Sequence, residues 1–192
     1  MSRPHPHALT LSARAGGGAM PMTSQYRHVV MIGMMGVGKS TVGRLVAARL
    51  GWGYWDNDEA LQAATGVTAG ELQRRRGQAV LHATENRLLG AALQSHDRIV
   101  FAAAASVVLK PKLLSGELTV WLRTSVERER DNIAHSGQHH RPLPEDAIAV
   151  LQRLNAARVP MYESVADITI RVADEPEATC DLVMAAVRER GL

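Results

Sequence analysis

The chain has 192 residues, 46% hydrophobic and 21% charged, which excludes wholesale disorder and provides enough apolar side chains for a substantial core. A net charge of +3, with no Lys/Arg run interleaved with aromatics, excludes a nucleic-acid track and leaves small anionic ligands as the expected partners. No apolar run reaches the roughly 18 to 20 residues of a membrane span, so no membrane partner is expected.

Residues 1–26 mix Pro, Gly, Ser and His without periodicity and predict a mobile tail ahead of a single domain over residues 27–192. His5, His7 and His28 lack a Cys or acidic partner at ligand spacing, so no metal site is expected of them. From His28 onward short β-rich runs alternate with helical patterns, the signature of a parallel sheet covered by helices. HVVMIG (28–33) reads as the first strand, and a helix through STVGRLVAARL ends at Gly51. GYW (53–55) reads as a second strand, followed by helices over 58–76, broken near Thr65-Gly66, and over 78–95. RIVFAA (98–103), LTVWLR (118–123) and DITIRV (167–172) complete five strands, with helices over 125–134, 145–158 and 176–189. The polar stretch HSGQHHRPLPE (135–145) reads as a mobile loop. Cys180, in the apolar-periodic stretch CDLVMAAV, is the only cysteine, so no internal disulfide forms and its side chain is expected to be packed. With no apolar signal-peptide core at the N-terminus, a cytoplasmic protein is expected. The few aromatics form no interface stripe, and oligomeric state is not legible.

The strongest chemical signal is GMMGVGKS, Gly33 to Ser40, which matches G-x-x-x-x-G-K-[ST] between a predicted strand and a predicted helix. Glycines let successive backbone N–H groups face one concavity, and the helix N-terminus adds partial positive charge. Gly33, Gly36, Val37, Gly38, Lys39, Ser40 and Thr41 are thus the expected nucleotide-binding residues. Lys39 is expected to reach the β- and γ-phosphates of ATP, and Ser40 to ligate Mg²⁺. Asp56 and Asp58, at i and i+2 in WDNDEAL, point from one side of the sheet edge if the strand geometry persists. One would sit near Mg²⁺ and the other take or orient a hydroxyl proton; the plain alternative is an Asp N-cap with a solvated neighbour. Arg141, in HHRPLP, fits a closing lid that brings a cation to the transferred phosphoryl, or else a solvated loop.

GMMGVGKSTVGRLVAARLG, the D-x-D of WDNDEAL, the RPL of the loop and R-x-P-x-Y in RVPMYESVAD together resemble the shikimate kinases, over about residues 28–190. The resemblance implies an α/β P-loop kinase fold with a five-stranded parallel sheet and a mobile lid. It also implies transfer of the γ-phosphoryl of ATP to a hydroxyl of shikimate or a similar small polyhydroxylated acceptor. By it, Asp56 assists the metal through water, Asp58 binds and activates the acceptor hydroxyl, Arg141 is the lid arginine, and Arg158 holds the acceptor's carboxylate. A guanidinium suits that last role, since its planar fork matches a carboxylate in two parallel hydrogen bonds.

Three departures are visible. The family's Gly-Gly-Gly run after the third strand is here Ala103, Ala104 and Ala105, followed by Ser106, so methyls narrow the acceptor floor and resist positive φ. His82 stands where the family presents a carboxylate-binding arginine, with Glu85 one turn on, placed to orient it. Before the lid, where the family keeps a basic residue over adenine, only His135 is at hand, with Arg128 and Arg130 further back. A gluconate-type or nucleotide kinase, and a non-catalytic ATP-binding module, are the competing readings.

Overall fold

The computed structural model describes residues 26–135 and 146–192. Nearly all of the expected tail, and the loop with Arg141, lie outside the described residues. Five parallel strands, β1 His28–Ile32, β2 Gly53–Asp56, β3 Ile99–Ala102, β4 Leu118–Arg123 and β5 Ile168–Arg171, form one sheet in the order β2-β3-β1-β4-β5. Seven α-helices are described: α1 Lys39–Leu50, α2 Asn57–Thr65, α3 Ala69–Arg76, α4 Gln78–Ala92, α5 Val126–His135, α6 Ala147–Val165 and α7 Pro176–Glu189.

The central strand β1 is apolar at almost every position because it is covered on both sides. Val29 and Met31 pack with Val42, Val46, Cys180 and Val183 on the α1/α7 side, so the cysteine is a packed core side chain as expected. Val30 and Ile32 pack with Leu89, Phe101, Leu151 and Tyr162 on the other. That period-2 division fixes the register, since a one-residue slip would exchange the two cores. Met31, Ala102 and Asp56 stand side by side across β1, β3 and β2. The phosphate loop, the alanine run and the aspartates therefore leave the sheet at one carboxyl edge, where open α/β sheets bind ligands.

Two expectations need correction. The helix expected over 145–158 runs to Val165, through Pro160. Pro160 lacks the N–H that would bond the Ala156 carbonyl, but both residues are exposed, which leaves that carbonyl on the solvent side of the helix. The strand geometry expected to carry Asp56 and Asp58 stops at Asp56, because α2 begins at the next residue. Two short 3-10 turns, Val107–Leu109 and Pro111–Leu114, follow the alanines in a stretch without helical periodicity. Among the described residues no helix is long and apolar enough to cross a membrane.

Candidate active site

The loop from β1 to α1 depends on its glycines. Gly33, Gly36 and Gly38 have φ of 142°, 76° and 98°. A Cβ on Gly33 would lie 2.4 Å from the Leu122 carbonyl oxygen, and one on Gly36 2.6 Å from that of Glu129, so backbone packs where any side chain would stand. Gly38 is the N-cap of α1 and supplies no side-chain acceptor to the leading amides of the helix. Those amides make an anion site of the kind phosphate occupies.

Lys39 folds back over this loop, its Nζ donating to the Gly33 oxygen at 3.0 Å and the Met34 oxygen at 2.8 Å. Burial pulls its ammonium below the ordinary lysine range, while Asp58, Asp56 and Glu129 oppose that shift and Arg158 adds to it. These five charged groups therefore share one electrostatic neighbourhood.

Asp56 serves two masters. Its Oδ1 accepts from the Asp58 and Glu59 amides at 2.9 and 3.4 Å, capping α2. Its Oδ2 accepts from Ser40 Oγ at 2.6 Å and from the Tyr54 hydroxyl at 2.7 Å. One side chain thus caps α2 and also meets Ser40 at the start of α1. Burial, reinforced by the Asp56 carboxylate, raises the Tyr54 phenol far above its usual value and keeps it a donor.

On α5, Glu129 is 1% exposed and accepts from Asn155 Nδ2 of α6 at 2.8 Å. Burial pushes its carboxyl up to about 7, against the pull of Asn155 and Lys39. Arg128 donates to the carbonyl oxygens of Ala173 and Asp174 at 2.6 and 2.9 Å, and Asn132 Nδ2 to the Gly36 oxygen at 2.7 Å.

The alanine run forms the facing wall. Ala103 is buried and donates its N–H to the Met31 oxygen at 3.1 Å. The Ala104 N–H goes to Asn57 Oδ1 at 3.4 Å, and the Ala105 oxygen accepts from Tyr162 at 2.8 Å. Tyr162 is itself fully buried and stacked on Trp121 at 5.6 Å between ring centroids. No non-glycine among the described residues has a positive φ, so the strain expected of the alanines is absent and only their methyls alter the wall. Glu85, expected to orient His82, is buried and accepts from Ser106 Oγ at 2.5 Å. His82 is half-buried, with Gln78 Nε2 3.5 Å from its Nε2. Arg158 is 7% exposed and mid-helix, not at a solvated helix end.

One cleft of about 450 Å³ collects Gly36, Val37, Gly38, Lys39, Ser40, Thr41, Asp56, Asp58, His82, the three alanines and Arg158. Gly33 stands behind the wall against Leu122, and Arg141 lies outside the described residues. The sequence reading missed Asn57, Glu129, Asn132 and the Val172–Asp174 stretch. Only the last carried a signal, its place just past a strand at the carboxyl edge. Arg128, set aside as too far back, does line the cleft beside His135, whereas Arg130 pairs with its neighbour Asp131.

The family model for shikimate kinase matches residues 35–188. The shikimate kinase of a Synechococcus strain is 36% identical over 82% of this chain and 84% of its own length. That of Paramagnetospirillum magneticum is 35% identical over 82% and 83%. Among solved structures, shikimate kinase from Acinetobacter baumannii in complex with shikimate superposes with a TM-score of 0.76 at 27% identity, covering 85% of this chain and 92% of that one. Sequence and architecture agree from the phosphate loop to the last helix, and the chain belongs to the shikimate kinase family: it is a shikimate-kinase-like, ATP-dependent phosphotransferase acting on a hydroxyl group.

Proposed function

We propose that the protein moves the γ-phosphoryl of ATP, as its Mg²⁺ complex, to a hydroxyl of shikimate. The observation that carries this reading is the gathering of Lys39, Asp58 and the buried Arg158 around one cleft. A buried arginine is costly unless an anion meets it, and the acceptor's carboxylate is that anion. The bound acceptor then turns one hydroxyl toward Asp58, which takes its proton as the oxygen attacks the γ-phosphorus. The bond from that phosphorus to the β,γ-bridging oxygen breaks, and ADP leaves. Lys39 and the leading amides of α1 hold the phosphate charge through the step.

The donor set fits Mg²⁺, which prefers oxygen ligands and keeps several of its waters: Ser40 Oγ and Asp56 Oδ2 are 2.6 Å apart at the start of α1. Ser40 would hold the ion directly and Asp56 through water, and the ion would neutralise charge on the β- and γ-oxygens. Arg128, Asn132 and Ala173 are the residues we assign to the nucleobase side, and Arg141 to the lid. A cytoplasmic location is part of the same proposal.

A coupled ADP-release assay with Mg·ATP and shikimate, beside a panel of sugar acids and polyols, tests the reading. Shikimate turnover of about 1 to 100 per second is expected. Asp58→Asn should lower kcat by about 10²- to 10⁴-fold while ATP affinity stays. A different polyhydroxylated acid is the second reading, favoured by the methyls of Ala103 to Ala105 on the cleft wall. Turnover of a panel member with shikimate silent would establish it.

A further inference from the structure

Two of the backbone donors on the alanine wall are already engaged within the protein. The Ala103 N–H is bound to Met31 and the Ala104 N–H to Asn57 Oδ1. Asn57, the first residue of α2, is 2% exposed and lines the cleft between the two aspartates. The amide's orientation is fixed, because the Ala104 N–H needs an oxygen opposite it. Nδ2 is left on the other side, buried and without a hydrogen-bond partner. Buried polar groups are nearly always satisfied, so an orphaned donor in a cleft wall asks for an acceptor supplied by something that binds there. Helix capping does not explain the residue, since Asp56 already caps α2. A neutral donor between two carboxylates meets a hydroxyl oxygen without adding a third negative charge.

Building on the function proposed above, we infer that Asn57 is a specificity-determining residue of the acceptor site: Oδ1 holds the alanine wall while Nδ2 donates to a hydroxyl oxygen of the bound polyol. The amide thus supplies a polar contact beside the methyl-lined wall.

The test compares wild type, Asn57→Leu and Asn57→Asp in the ADP-release assay. Each is given the acceptor that turns over and its analogues lacking one non-reacting hydroxyl. Wild type should disfavour one analogue by about tenfold or more in KM, because its absence leaves the amide unpaired. Asn57→Leu should raise KM for the intact acceptor by a similar factor and treat that analogue no worse. Asn57→Asp keeps an oxygen for the Ala104 N–H and lacks the amide donor, so it should lose the same discrimination. It also keeps the test open should the leucine variant not fold. Equal losses for every analogue, or an unchanged Asn57→Asp profile, overturn the assignment alone. A wild type that turns over nothing in the panel overturns the function reading and this assignment with it.

Discussion

The two walls of the cleft are built on different principles. On the side of the phosphate loop the backbone shapes the surface: three glycines with positive φ, two of them pressed against carbonyl oxygens, and a helix start with no side-chain cap. On the side of the alanine run the Ala103 and Ala104 amides are already engaged, and side chains supply much of the lining: Asn57, His82, Arg158, and Glu85 held by Ser106. A backbone site tolerates few sequences, because each glycine answers a geometric demand. A side-chain site can be rebuilt residue by residue on the same scaffold.

The largest effect should come from the phosphate side. Lys39→Ala is expected to cut kcat about 10²- to 10³-fold or more with every acceptor alike, read in the ADP-release assay. A loss that depended on the acceptor would erase the division between the walls. Arg158→Ala should instead raise acceptor KM about 10- to 100-fold and leave ATP KM near wild type, since a charge-assisted contact to a carboxylate is lost. Arg158→Lys should not restore it, because an ammonium lacks the planar fork.

A pH experiment sharpens the picture of the phosphate side. Glu129 is raised from 4.5 to about 7 by burial, so the folded state holds its proton where the unfolded chain has released it. Stability from this residue is therefore fully present below about pH 4.5 and is lost as pH climbs to about 7, by on the order of 3 kcal/mol. Glu129→Gln stays neutral and keeps an oxygen for Asn155. Urea unfolding should find it near wild type at pH 4.5 and more stable at pH 8; a gap independent of pH would mean that the carboxylate titrates normally. The smallest effect belongs to the alanines. Ala104→Gly opens one methyl's worth of space and should change acceptor KM by about fivefold, with ATP KM unmoved.

How legible each part was follows from the same physics. All five strands appeared as β-rich apolar runs, and the phosphate loop as a motif in its proper place between strand and helix. Asp56 and Asp58 were found for an incomplete reason: a strand was to align them, whereas the turn from β2 into α2 does so, with Asp56 as the cap. Arg158 was found by resemblance, yet its burial rests on α6 continuing past Pro160, which local rules would have stopped. Glu129 and Asn57 gave no sign at all. A glutamate in VERERDN reads as surface, and only the packing of α5 against the loop at Gly36 and against Asn155 makes it interior. Asn57 acquires meaning only from Ala104, 47 residues away.

Helix α6 touches both walls at once. Asn155 reaches Glu129 beside the phosphate loop, Arg158 lines the cleft, and Tyr162 fastens Ala105 from behind, all on one stripe of the helix. One helix thus serves as a common floor beneath both ends of the cleft, and its packing fixes how far apart those ends stand.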